Sequence, residues 1–198
     1  MASVNVVPSS DITTTDWTTT GSSFYGVLSA SSGAGDGTHY VYQNSGTGGT
    51  NNLICGCTLS TTGWISISGV TYTVAWLENA KSSTAYFQLT LNSNGGGTEL
   101  ASMASAITTT SSSETTTGPN SMTLNNSTPS NWTNFQMVIA CTSGNVTGQK
   151  FGLYVTITYS TSAATGPPNP INLYGGRIAG SERLYGGPAK TITAYGFR

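Results

Sequence analysis

Apolar residues in this chain recur every second position, in short runs cut by turn-forming clusters. Phe87, Leu89 and Leu91 alternate with polar residues, as do Leu153, Val155 and Ile157 against Tyr154, Thr156 and Thr158. Successive side chains of a strand point to opposite sides, so such a run gives one face to a core and one to solvent. Further runs are Val4 and Val6, His39–Tyr42, Leu53–Leu59, Trp64 to Ile67, Tyr72–Leu77, Met122–Leu124 and Phe135–Ala140. Between them lie Gly/Ser/Asn/Thr clusters such as Gly46–Asn52 and Asn92–Thr98, whose residues favour turns. Eight or more short strands with regular turn signals predict an all-β chain, an antiparallel sandwich or barrel.

Two stretches depart from that pattern. Leu100, Met103, Ala104 and Ile107 fall at helical spacing, which predicts a strand or a single helical turn. The Thr/Ser run from Thr108 to Thr117, ending in Gly118-Pro119, reads as a long exposed loop.

The distribution of charge divides the chain. Only 7% of residues are charged, against about 25% in an ordinary soluble domain. Residues 1–164 carry six acids and two bases, whereas residues 165–198 carry four bases and one acid. The expected organisation is therefore a sandwich over 1–164 and an extended C-terminal arm over 165–198. Thr165-Gly166-Pro167-Pro168-Asn169-Pro170 opens the arm and suits neither a helix nor a central strand. A loose repeat follows: Leu173-Tyr174-Gly175-Gly176-Arg177, then Leu184-Tyr185-Gly186-Gly187-Pro188, then Ala194-Tyr195-Gly196-Phe197-Arg198. Tyr and Arg dominate interface hot spots. The candidate partner-binding residues are thus Tyr174, Arg177, Arg183, Tyr185, Tyr195, Phe197 and Arg198.

Groups for catalysis are sparse. His39 is the single imidazole, no Gly-x-Ser-x-Gly surrounds a serine, and no Gly-Lys-Ser/Thr occurs. Gly33-Ala34-Gly35-Asp36-Gly37 reads as a turn rather than a phosphate cradle. The carboxylates Asp11, Asp16, Asp36, Glu78, Glu99 and Glu114 show no glycosidase-like pairing, and Asp11 and Asp16 sit where capping of backbone N–H groups is expected. Cys55, Cys57 and Cys141 with His39 could formally hold zinc, but the close Cys-x-x-Cys spacing is missing, and small buried residues are the plainer reading. No catalytic residue, metal or cofactor is expected. The acidic body argues against specific nucleic-acid binding. No apolar stretch reaches membrane-span length, and no apolar segment of secretory type follows Met1, so synthesis in a cytoplasm without export by that route is expected.

The N-terminal half carries a family likeness. Ser10-Asp11, Trp17-Thr18, Gly21-Ser22, Phe24-Tyr25 and Asp36-Gly37-Thr38-His39-Tyr40-Val41 resemble the opening of a jelly-roll module found in many virion structural proteins of tailed bacteriophages. The resemblance extends over about residues 3–160, through the strands Tyr72–Leu77, Ala85–Leu91, Trp132–Ala140 and Gly152–Tyr159. The chain departs from it where Val27-Leu28-Ser29-Ala30 replaces an acidic helix-like stretch, and in the added arm. What the resemblance implies is a jelly-roll-like sandwich with a structural role in the virion, with no place on the particle specified; among such roles, head decoration or cement is the leading expectation. The partners would be the major capsid protein or other virion subunits, and the protein a trimer or dimer. The alternative is a carbohydrate-binding or host-adhesion module on a tail or head fibre, with Trp17, Trp64, Trp76 and Trp132 as candidate sugar platforms.

Overall fold

The computed structural model describes residues 1–29, 39, 41–43, 52–76, 85–109, 115–140, 152–161, 182–186 and 192–196. The chain divides into two units, Met1–Thr161 and Ser162–Arg198. In the first unit the strands are β1 (Ala2–Val6), β2 (Ser10–Thr13), β3 (Trp17–Thr19), β4 (Val41–Gln43), β5 (Leu53–Gly56), β6 (Trp64–Trp76) and β7 (Ala85–Asn92). They continue with β8 (Glu99–Ser102), β9 (Ile107–Thr109), β10 (Thr115–Ser121), β11 (Thr123–Leu124), β12 (Gln136–Ala140) and β13 (Gly152–Thr161). One short helix, α1 (Phe24–Leu28), follows β3. The second unit contains β14 (Glu182–Gly186) and β15 (Ile192–Gly196).

Two antiparallel sheets form a sandwich. One has the order β1-β13-β6-β10; the other runs β11-β8-β7-β12-β5-β2, with β9 also pairing β7. Numbering β1, β5, β6, β7, β8, β10, β12 and β13 from one to eight, the first sheet reads 1-8-3-6 and the second contains 2-7-4-5. Successive strands of this frame therefore change sheet at every step except from β7 to β8. β3 and β4 make a separate two-stranded ladder.

Alternation decides which residues enter the core. Leu153, Val155 and Ile157 of β13 are fully buried, opposite Val74, Tyr72 and Val70 of β6 in register. The second sheet contributes Phe87, Leu89 and Leu91 from β7, Met137 and Ile139 from β12, and Leu53 and Cys55 from β5. Trp132 and Phe135 are also fully buried, in edge-to-face contact with ring centres 5.6 Å apart. The indole N–H of Trp132 donates to the Asn126 carbonyl at 2.9 Å, which satisfies the ring's single polar group inside the core.

The outer face of the first sheet is polar. Thr71 of β6 lies opposite Thr156 of β13, which in turn lies opposite Asn5 of β1. The Thr156 hydroxyl donates to Asn5 Oδ1 at 2.8 Å. Hydroxyl-rich faces of this kind stay solvated while the opposite face packs.

Leu100 and Met103 are buried and Ile107 packs against the core; Leu100 lies in β8, Met103 just beyond it and Ile107 in β9, so of the two readings of their spacing the strand holds and the helical turn does not. The expected loop that follows needs correction. The Thr108–Thr117 stretch is not one long loop: Thr108 and Thr109 end β9, and Thr115–Thr117 begin β10, in register with Trp76–Val74 of β6. Val27 and Leu28 belong to the short helix α1, capped by the Ser23 hydroxyl, which accepts from the Gly26 N–H at 3.1 Å. It has no acidic residue in its first turn; a carboxylate comes instead from β2. No helix among the described residues is long and apolar enough to cross a membrane.

Candidate functional site

The proposed gripping residues fall in the second unit. Tyr174, Arg177, Phe197 and Arg198 lie outside the described residues. Arg183 and Tyr185 belong to β14, and Tyr195 to β15. β14 and β15 pair antiparallel over five positions, with Arg183 opposite Tyr195 and Tyr185 opposite Thr193. The second and third repeats thus meet in one hairpin. The juxtaposition of Arg183 with Tyr195 follows from pairing that spacing alone does not reveal.

In the first unit the sheet edges determine what a partner can meet. An end strand turns alternate N–H and C=O groups outward and invites pairing, which natural proteins blunt with bulges, charges, prolines or shortness. Four edges here carry such a device. In β10 the register with β6 slips between Thr117 and Asn120, and Gly118-Pro119 bulges out. Gly118 has φ +119°, and a Cβ there would overlap the Tyr72 carbonyl oxygen and stand 2.9 Å from Thr73 Cα. Glycine alone fits this bulge. The register of β2 slips between Asp11 and Thr13, and Asp11 brings a carboxylate to that edge. β11 is two residues long and β9 three.

β1 has none of these features. Its five residues, Ala-Ser-Val-Asn-Val, contain no charge and no proline, and they pair with Tyr159–Val155 without a slip. It is the end strand of its sheet among the described residues. The Thr156–Asn5 hydrogen bond and the five-pair ladder hold it in place.

A corner built by β2 and α1 holds Asp11, Trp17 and Phe24, three of the residues on which the expected resemblance rested. The Asp11 carboxylate accepts from the backbone N–H groups of Phe24 at 3.1 Å and Tyr25 at 2.7 Å. This closes two donors of the helix start that have no partner within the helix. Trp17 is buried in the core, and Phe24 packs against it. Thus Asp11, Trp17 and Phe24 serve capping and packing.

The tryptophans proposed as sugar platforms are divided. Trp17 and Trp132 are buried. Trp64 is half-buried and stacks on Tyr159, with ring centres 3.6 Å apart and planes 7° from parallel. Trp76 ends β6, and its side chain lies outside the described residues.

The thiols are shielded. Cys55 and Cys57 are free and buried. Burial, followed by the nearby Asp11 charge, pushes the Cys55 thiol up to about 12. Burial, with Cys55 beside it, pushes Cys57 higher still. A protonated buried thiol is neither a good nucleophile nor a metal ligand. Among the described residues no three His, Cys, Asp or Glu side chains gather into a metal-binding group; Cys141 lies outside them.

Comparison with known proteins gives no family, curated protein or solved structure that matches this chain.

Proposed function

We propose that this chain is a structural subunit of a bacteriophage particle, a head decoration or cement protein that binds the assembled shell and stabilises it. The observation that carries the reading is the strand order. We read two antiparallel sheets ordered 1-8-3-6 and 2-7-4-5 as a jelly roll, a double Greek key recurrent in viral capsid and lectin domains. The resemblance of Ser10-Asp11, Trp17-Thr18 and Phe24-Tyr25 to phage virion modules supports the same choice. So does the chemistry of the surface, since a chain with so few charges gains more from packing between subunits than from acid–base work.

In this reading the sandwich supplies bulk and the C-terminal arm supplies the grip. A protein that binds only the assembled shell stabilises it by mass action, without turnover. The Tyr-Gly repeats engage successive subunits and add avidity. Symmetric shell positions favour a trimer or dimer of the chain.

The test is attachment to purified particles that lack the protein. Full-length chain is expected to bind to saturation and to raise the temperature at which particles break. A chain ending at Ala164 is expected to fold and fail to attach. Equal attachment by the two forms would overturn the arm's role. The adhesion alternative rests on the half-exposed Trp64 ring stacked on Tyr159. Saturable binding to a glycan panel, lost in Trp64→Ala, would favour it over the cement reading.

A further inference from the structure

Two unfinished pieces of β-structure occur in this chain. Among the described residues, β1 is an end strand without the bulge, charge, proline or shortness that blunts the other edges. Among the same residues, β14 and β15 form a sheet of only two strands. A lone two-stranded hairpin is at best marginally stable in water and gains from a third strand. The pieces also match in length, since β1, β14 and β15 are five residues each.

The match extends to charge. Residues 1–161 carry a net −4 and residues 162–198 a net +3 by formal count. The first unit of one copy and the second unit of another therefore attract. At the joint itself no ion needs to be stripped of water. β15 reads Ile-Thr-Ala-Tyr-Gly and β1 reads Ala-Ser-Val-Asn-Val, both without a charged residue. β14 instead carries Glu182 and Arg183, which makes β15 the better strand to present.

We propose that the hairpin β14–β15 of one copy adds to the free edge of β1 in a second copy, with β15 as the joining strand. The four-stranded sheet β1-β13-β6-β10 would thereby become six-stranded across the junction. Main-chain hydrogen bonds would supply the affinity, as in other cases of strand addition. Because β1 is already fixed by its ladder to β13 and by the Asn5–Thr156 bond, the edge loses little freedom on pairing. A head-to-tail contact of this type closes into a ring where the rotation permits. This inference rests on the reading that the arm is the gripping element, and it names a neighbouring copy as what the arm grips.

The experiment uses full-length chains with single added cysteines, one of each pair carrying a size tag. A Ser3→Cys chain is mixed with a Thr193→Cys or an Ala194→Cys chain under mild oxidation. The two β15 positions cover both strand faces, and a disulfide forms only between closely apposed backbones. Wild-type mixtures control for the native thiols. A covalent species joining the two differently sized chains, for one of the β15 positions, is expected. No such species above the wild-type background would overturn the proposal. So would Ser3-to-Ser3 dimers as the main product, which would mean that β1 pairs with itself. So would an internal cross-link that persists on dilution in a further chain carrying both Ser3→Cys and the matching β15 substitution, because the arm would then return to its own sandwich.

Hydrogen exchange supplies a second readout without any substitution. Amides of Ala2–Val6 should exchange more slowly as the concentration of chain rises, and exchange independent of concentration would also overturn the proposal. The outcome separates from that of the functional reading. Cross-linking with unaltered particle attachment after truncation would retain the strand addition and remove the arm's role in attachment; loss of attachment on truncation without cross-linking would do the reverse.

Discussion

Replacing Thr73 by valine should stabilise the sandwich, although most substitutions of buried residues destabilise. Thr73 lies in β6 opposite Tyr154 of β13, and its hydroxyl is buried without a hydrogen-bond partner. The reason is the adjoining bulge. β10 pairs Thr117 with Val74 and Asn120 with Tyr72, so Gly118-Pro119 bows out over Thr73. Gly118 lies so close that a Cβ on it would stand 3.0 Å from Thr73 Oγ1. A hydroxyl buried without a partner costs about 1–3 kcal/mol by protein mutational measures. Valine has nearly the same shape and no such debt, so a gain of about 1 kcal/mol is expected. For a unit of this size that corresponds to a rise of about 2–4 °C in the melting midpoint. The assay is denaturant and thermal unfolding of Thr73→Val beside Thr71→Val. Thr71 lies on the same strand two residues away and is only half-buried, and its hydroxyl is not among the buried side-chain atoms without a partner. Thr71→Val should change stability by less than about 0.5 kcal/mol. An equal gain from both would reduce the effect to strand propensity, and a loss at Thr73 would refute the reasoning outright.

Three further outcomes follow from the same structure. Gly118→Ala should destabilise by more than about 1 kcal/mol in the same unfolding assay, because its left-handed backbone and the Tyr72 carbonyl both exclude a methyl group. Asp11→Ala should cost about 1 kcal/mol by loss of two acceptors at the start of α1, with Asp11→Asn falling between it and the wild type. Stability should decline above the ordinary thiol value of 9.0, as pH rises towards the folded Cys55 value of about 12. In that window the unfolded thiol has lost its proton and the folded one keeps it, so rising pH favours unfolding by about 1.4 kcal/mol per pH unit for each thiol. Cys55→Ala should flatten the decline in pH-dependent melting, and thiol reagents at pH 8 should label Cys55 and Cys57 only after unfolding.

Much of the sandwich was legible because burial on one face writes itself as alternation. Phe87, Leu89 and Leu91, and Leu153, Val155 and Ile157, alternate in the sequence and are fully buried in the structure. Strands at an edge carry no such obligation. β10 has no buried residue among its seven, so its Thr-rich stretch read as loop, although β-branched Thr115–Thr117 favour a strand. α1 is five residues long, too short for helical periodicity to show; its signal was the Ser23 cap three residues before Gly26, with an acceptor arriving from thirteen residues upstream. Of the arm residues, Arg183, Tyr185 and Tyr195 could be named from composition, but their placement in one hairpin depends on pairing between segments. The sheet edge at β1 was invisible to pattern alone, because a strand becomes an edge through what fails to pair beside it.

The central claim is that residues 165–198 engage another subunit in the finished particle. Hydrogen exchange over that segment, measured on intact particles and on the free chain at low concentration, tests it most directly. Marked slowing in the particle, including the amides of β14 and β15, is the predicted result. Equal exchange in both states would contradict the account.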